Sequence, residues 1–124
     1  MDTLQTVNTY CAAWQQQAGD MSAVPVAEDF TFTRPVARFT DATGFRAMAA
    51  QASAAVRSFR VRHQLTDRDL VCSIVDCEMD PLPNVLTAAE ILQVRDGQIV
   101  RGELIYDAED LRHALAASQR PNHR

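Results

Sequence analysis

The sequence predicts a single α+β domain in which helices early in the chain pack on an antiparallel sheet formed late. Three observations carry that expectation. Apolar residues recur every three or four positions over residues 3–18 and again over 41–57, the spacing that builds one helix face. From Phe59 the period changes to two, the pattern of strands with one buried face. Asp96-Gly97 then separates two such runs as a hairpin turn, and helices grouped ahead of strands argue against alternating βαβ units.

In the first helix, about 3–18, the apolar stripe is Leu4, Val7, Cys11, Trp14 and Ala18. Asp2 with Gln5 three residues on forms a capping box, and Gly19 suits the C-terminal cap. Ser22 is expected to open a short helical turn through Ala27. Phe30 and Phe32 alternate with Thr31 and Thr33 in a short first strand that ends before Pro35. Thr40 or Asp41 caps a second long helix, whose stripe of Phe45, Met48, Ala49, Ala52 and Val56 runs to about Arg57.

Four strands follow. Phe59, Val61, His63 and Leu65 share one face of the first, with Arg60, Arg62 and Gln64 on the other. A turn at Asp67–Asp69 leads to Leu70–Glu78, and Asp80, Pro81, Pro83 and Asn84 break the sheet before Val85–Val94. Ile99–Tyr106 pairs back, and Asp107 caps a last helix carrying Leu111 and Leu115. The domain is read as residues 1–117, with 118–124 a polar C-terminal tail, and no repeat, low-complexity tract or linker interrupts it.

Composition narrows the function classes. With 124 residues, 47% hydrophobic and 23% charged, the chain has ordinary globular usage and enough length for one core. A formal charge of −4 argues against nucleic acid or an anionic membrane surface as a partner. No apolar run reaches the ~18 residues of a membrane span. Cys11, Cys72 and Cys77 are an odd set without metal-type spacing, and the first residues carry neither a basic nor an apolar leader segment. A reducing cytoplasm is the expected compartment. All twelve basic residues are Arg, a GC-rich coding bias that points to a bacterial source. The four glycines form no phosphate loop, nucleophile elbow or dinucleotide fingerprint, and Glu109 with His113 is read as an exposed helical pair. Neither a cofactor nor a metal is expected.

Tyr10-Cys11-Ala12-Ala13-Trp14 leading to Gly19-Asp20, Asp29-Phe30-Thr31-Phe32 before Arg34-Pro35, and Gly97-Gln98-Ile99 followed by Tyr106-Asp107 resemble SnoaL-like, polyketide-cyclase-like proteins of the nuclear transport factor 2 superfamily. The resemblance spans about residues 4–115. It implies a cone-shaped, curved antiparallel sheet wrapped around helices, an apolar cavity inside, and a homodimer formed through the outer sheet face. That face is read as Val71, Val75, Val85, Ala89, Ile91 and Ile105.

The same resemblance aligns Tyr10 and Glu90 with the Tyr and carboxylic acid that form the oxyanion hole of the ketosteroid isomerase branch, where a protonated carboxyl donates to a developing enolate. Arg34 stands where that branch keeps its proton-shuttling Asp. Leu104 stands where the epoxide hydrolase branch keeps a carboxylate, and that branch's Arg and Asp pair falls on Ala88 and Glu90. Neither chemistry is expected in its known form.

Strand alternation independently puts Glu90 on an apolar face with Leu86, Ala88, Leu92 and Val94. A carboxyl so placed is either an acid/base group or half of a structural ion pair with Arg34. Arg34, on the face of Phe30 and Phe32, is read as clamping a substrate carboxylate or enolate, or as the ion-pair partner. His63 is the candidate base, or a hydrogen-bonded core residue. Tyr10 and Tyr106 either present hydroxyls to the cavity or pack in the core. Asp76, in step with Cys72 and Ile74, either reaches the pocket mouth or is solvated at a strand end. The expected catalytic set is thus Glu90, His63 and Tyr10, and the substrate contacts are Arg34, Trp14, Phe32, Asp76, Leu104 and Tyr106. The expected partner is a small apolar carbonyl compound undergoing cofactor-independent acid/base chemistry. The alternatives are a noncatalytic small-molecule binder and an accessory domain with a filled core.

Overall fold

The computed structural model describes residues 2–16 and 19–119. Its elements are α1 (Thr3–Gln16), β1 (Val26–Arg34), β2 (Ala37–Phe39), α2 (Ala42–Ala52), β3 (Val56–Asp67), β4 (Leu70–Met79), β5 (Leu86–Arg95), β6 (Gln98–Ile105) and α3 (Glu109–Gln119). One six-stranded sheet runs in the order β2-β1-β6-β5-β4-β3. β3 to β6 form the expected antiparallel meander, while β1 joins β6 in parallel, so the sheet is mixed and stays open at β2 and β3. Register shifts in β1–β6, β3–β4 and β5–β6 supply the local twist and bending that curve it. α1 and α2 occupy the concave side, α1 against β3 to β6 and α2 against β1 and β2.

Local chemistry sets the ends of these elements. The Asp2 carboxylate accepts from the Gln5 N–H at 2.7 Å, and the Asp2 N–H donates to Gln5 Oε1 at 3.0 Å, closing the capping box reciprocally. Gly19 takes a φ of +75° and donates its N–H to the Ala13 carbonyl, ending α1 as a left-handed cap. Ala18 lies outside the described residues. Asp41, rather than Thr40, caps α2, accepting from the Gly44 N–H at 2.7 Å. Asp107 accepts from the Glu109 N–H at the start of α3. Asp96 and Gly97 both have positive φ, the requirement of a tight two-residue hairpin.

Several boundaries differ from the sequence reading. No helical turn forms at Ser22–Ala27: Pro25 disfavours helical backbone at Val24, Ser22 bonds the Asp20 carboxylate in a tight turn, and β1 starts at Val26. β2 was not anticipated, because three residues carry no periodicity. α2 stops at Ala52 instead of about Arg57, and Val56 opens β3, so Val56 belongs to the sheet. α3 runs to Gln119, two residues into the stretch read as tail; residues 120–124 lie outside the described residues.

The core sits between α1, α2 and the concave sheet face. Phe45 of α2 is fully buried, edge-on to Phe30 at 4.9 Å and 5.0 Å from Phe32, and stacks on Tyr10 of α1 at 6.2 Å. Gly102 of β6 makes room for this cluster, since a Cβ there would lie 2.7 Å from Phe32 Cδ2 and 3.0 Å from Leu92 Cδ2.

Candidate functional site

Strand register decides which side chains face inward. β4 pairs with β5 so that Ser73 opposes Glu90, Val75 opposes Ala88 and Val71 opposes Leu92. β6 adds Leu104 opposite Glu90 and Gly102 opposite Leu92. All of these lie on the concave face. Val71 and Val75 are therefore core residues, not part of the outer face assigned to them from sequence. Asp76 is displaced in the opposite sense. It pairs with Thr87 on the convex face, accepts the Thr87 hydroxyl at 2.7 Å, and lies 3.6 Å from Arg62 Nη1.

His63 is corrected by a bulge. Val61 opposes Val75 but His63 opposes Ile74, so one extra residue, Arg62, enters β3 and reverses the alternation beyond it. His63 and Leu65 turn out to the convex side, where Leu65 is 66% exposed. Gln64 takes the inward place, donating from Nε2 to Asn8 Oδ1 at 2.9 Å and to Ser73 Oγ at 3.3 Å. Neither His63 nor Asp76 reaches the cavity.

Between α1, α2 and the sheet lies a cavity of about 90 Å³. Tyr10, Trp14, Phe32, Arg34, Glu90, Leu104 and Tyr106 all line it, the residues singled out from sequence other than His63 and Asp76. Other lining residues escaped the sequence reading, among them Met48, Phe59, Cys77 and Leu111. Phe59 carried a usable signal, because it precedes the bulge and keeps the inward parity. It stacks on Trp14 at 6.2 Å. The filled-core alternative does not describe this interior.

Glu90 is 3% exposed. Its Oε2 accepts the Tyr10 hydroxyl at 2.8 Å, while its Oε1 is buried without a partner. Burial pushes the Glu90 carboxyl up to about 7, with the Tyr10 hydrogen bond opposing that rise. Burial likewise raises the Tyr10 phenol well above its ordinary value, reinforced by the charge of Glu90. The Cys77 thiol is pushed up to about 11 by burial and by Glu90, and Cys11 to about 12 by the same causes.

Arg34 ends β1 on the face of Phe32. Its guanidinium carbon sits 5.7 Å from the Phe39 ring centroid, a cation–π contact, yet its Nε is buried without a hydrogen-bond partner. The ion pairs among the described residues are Arg57–Asp80 and Arg62–Asp76, so the Arg34–Glu90 pair considered from sequence is not made. Burial raises the Tyr106 phenol, while the charges of Arg34 and Arg112 pull it down. Arg112 of α3 donates to the Pro35 carbonyl at 3.3 Å, fixing α3 beside the site, where Leu111 lines the cavity.

Cavity and fold together define a nuclear transport factor 2-like α+β protein with an interior small-molecule pocket. The sequence profile of the SnoaL-like domain matches residues 7–102, and the chain belongs to that family. Among solved structures, a protein from Kribbella flavida is similar at 29% identity and a TM-score of 0.79, covering 93% of this chain and 94% of that one. An NTF2-like protein of unknown function from Cytophaga hutchinsonii matches at 17% identity and TM-score 0.79, over 90% and 96% of the two chains. A steroid delta-isomerase from Pseudomonas aeruginosa matches at 18% identity and TM-score 0.71, over 94% and 93%. No curated protein sequence matches this one. The family fold is a small-molecule-binding one, and among the described residues no helix is long and apolar enough to cross a membrane and no cluster of three metal-ligating side chains occurs.

Proposed function

We propose that this protein is a cofactor-independent acid/base enzyme that enolises a small apolar carbonyl compound, with Glu90 moving the proton and Arg34 holding the carbonyl oxygen. The observation that carries this reading is the pair of unpartnered polar atoms in one apolar cavity, Glu90 Oε1 and Arg34 Nε. A carboxyl near 7 is matched to proton transfer at neutral pH, since both of its forms are populated there. Ionised Glu90 removes a proton from the carbon next to the carbonyl. The C–H electron pair becomes the enolate double bond, and the carbonyl oxygen takes the negative charge, to which the Arg34 Nε–H donates. Return of the proton to a different carbon completes an isomerisation and restores ionised Glu90. Tyr10 acts through Glu90, orienting its carboxyl and holding Oε1 toward the cavity.

This assignment differs from the sequence expectation in that His63 has no part. The experiment is deuterium exchange at the α-carbons of small ketones such as cyclopentanone, followed by proton NMR in D2O. Wild type should accelerate exchange, Glu90→Gln should lose about 10²-fold or more, and His63→Ala should match wild type. Exchange that survives Glu90→Gln would sink the proposal.

One observation favours a second reading, a noncatalytic binding protein: among the described residues Glu90 is the only carboxyl or imidazole lining the cavity, so no second proton carrier of ordinary pKa stands beside it. That reading predicts a ligand retained without chemical change. Under either reading a homodimer is proposed, joined through the convex sheet face where Ile74, Ala89, Ile91 and the half-exposed Ile105 leave apolar surface.

A further inference from the structure

Oε1 of Glu90 and Nε of Arg34 make different demands on whatever fills the cavity. An arginine Nε–H can only donate, so its missing partner is an acceptor. The guanidinium also carries a full charge, and no carboxylate lies within 4 Å of it among the described residues. A neutral carbonyl would satisfy the donor and leave the charge unbalanced; an amine would satisfy neither. An anion satisfies both. The remaining walls are apolar, with Trp14, Phe32, Phe59, Val75, Ala88 and Leu104 among them. At about 90 Å³ the space is smaller than the roughly 150 Å³ apolar cavity that takes benzene, so the enclosed part of the ligand is only a few carbon atoms.

An anion here meets Glu90. Facing that carboxyl are Tyr10 and Cys11 from α1, Cys77 from β4, and, across the cavity, Arg34 from β1 and Tyr106 beyond β6. Tyr10 and the two thiols hold their protons at neutral pH, so Glu90 is the group that can change its charge when a second anion enters. Ionised, its Oε1 repels the newcomer; protonated, it becomes a donor. We infer that the ligand is a compact apolar monocarboxylate, whose carboxylate accepts from the Arg34 Nε–H and from a protonated Glu90, so that binding takes up one proton. The inference rests on the reading above only in taking this cavity as the site: a bound carboxylate occupies both Arg34 Nε and Glu90 Oε1, the two groups enolisation uses, and so competes with the carbonyl substrate.

The test is titration of the intact protein with 2-methylpropanoate and cyclobutanecarboxylate, each against its neutral amide, by NMR and calorimetry. The carboxylates should bind at least tenfold tighter than the amides near pH 6.5. Above pH 7 their Kd should rise by about tenfold per pH unit, and the heat in buffers of different ionisation enthalpy should report about one proton taken up. Glu90→Gln, a permanent donor, should bind the carboxylates without that pH dependence, and Arg34→Gln should weaken them at least tenfold. Amides that bind as tightly as the acids, a wild-type Kd flat from pH 6.5 to 8.5, or no carboxylate binding at millimolar concentration would each overturn the inference. None of these readings involves turnover. Ketone exchange persisting without carboxylate binding removes this inference alone, whereas carboxylate binding without any exchange removes the catalytic reading alone.

Discussion

Replacing Glu90 by Gln should make the protein more stable at alkaline than at acid pH relative to wild type. The carboxyl titrates at 4.5 ordinarily and at about 7 in the fold. Because the folded-state value is raised, the folded protein binds the proton more tightly than the unfolded chain. Stability is therefore greatest below 4.5, falls as pH rises toward 7, and carries the full penalty above that. The displacement corresponds to about 3 kcal/mol in total, most of which accrues between pH 5 and pH 8. Gln has no charge to desolvate, and its carbonyl can still accept from the Tyr10 hydroxyl, so it keeps the bond and sheds the penalty. For a domain of this length the change is about 10 °C in Tm. Thermal unfolding of both proteins across pH 5–8 isolates Glu90, since every other titrating group is common to both. The difference in Tm should grow from pH 5 to about pH 7 in favour of Glu90→Gln and level off above it. Parallel curves would refute the argument, because they would mean that Glu90 does not change ionisation in this window.

Tyr10→Phe removes the hydrogen bond that opposes the rise of the Glu90 carboxyl, so carboxyl carbon-13 NMR should find Glu90 titrating higher than in wild type. Gly102→Ala should destabilise by about 1–3 kcal/mol in denaturant unfolding, since the new methyl meets Phe32 and Leu92 inside contact distance. Phe45→Ala should cost about 3–5 kcal/mol by the same measurement, through loss of the ring that packs on Tyr10, Phe30 and Phe32. Ile105→Glu on the convex face should shift sedimentation from dimer to monomer at micromolar concentration; a monomeric wild type would remove the proposed dimer.

Sequence periodicity reached the order of the long elements and the inward placing of Glu90 because β5 keeps regular alternation through Glu90, from Leu86 to Leu92. It failed at His63 because a bulge is a pairing defect between two strands, and one strand's alternation continues in the sequence as if nothing had happened. Asp76, Val71 and Val75 failed for a related reason. β4 carries apolar residues on both faces, Val71 and Val75 on one and Leu70 and Ile74 on the other, so parity alone does not say which set is inside, and only pairing Ser73 with Glu90 across β4 and β5 settles it. The caps were legible because they are local: Asp2, Asp41, Asp107 and Gly19 act within six residues. The end of α2 was not, since Val56 satisfies the helical stripe and begins a strand equally well.

That same contrast governs the site. Tyr10 and Glu90 lie 80 positions apart in sequence, and their 2.8 Å bond exists because β5 runs beneath α1 with its even-numbered side chains raised toward the helix. The bond occupies one carboxyl oxygen and leaves the other to the cavity, which sets a constraint that neither residue implies alone. A ligand that used both unpartnered atoms would meet Glu90 through Oε1 and Arg34, two strands away on β1, through Nε. Where Arg34 stands, the isomerase branch resembled in sequence keeps a carboxylate; a cation there reverses the sign of the charge facing Glu90. Two carboxyls would suppress each other's ionisation, whereas Arg34 brings no such repulsion and burial is what raises the Glu90 carboxyl. With Arg34 at this position, the proposed anion site has a fixed cation opposite Glu90, so in that proposal Glu90 answers a bound charge by taking up a proton rather than by sharing one with a second acid.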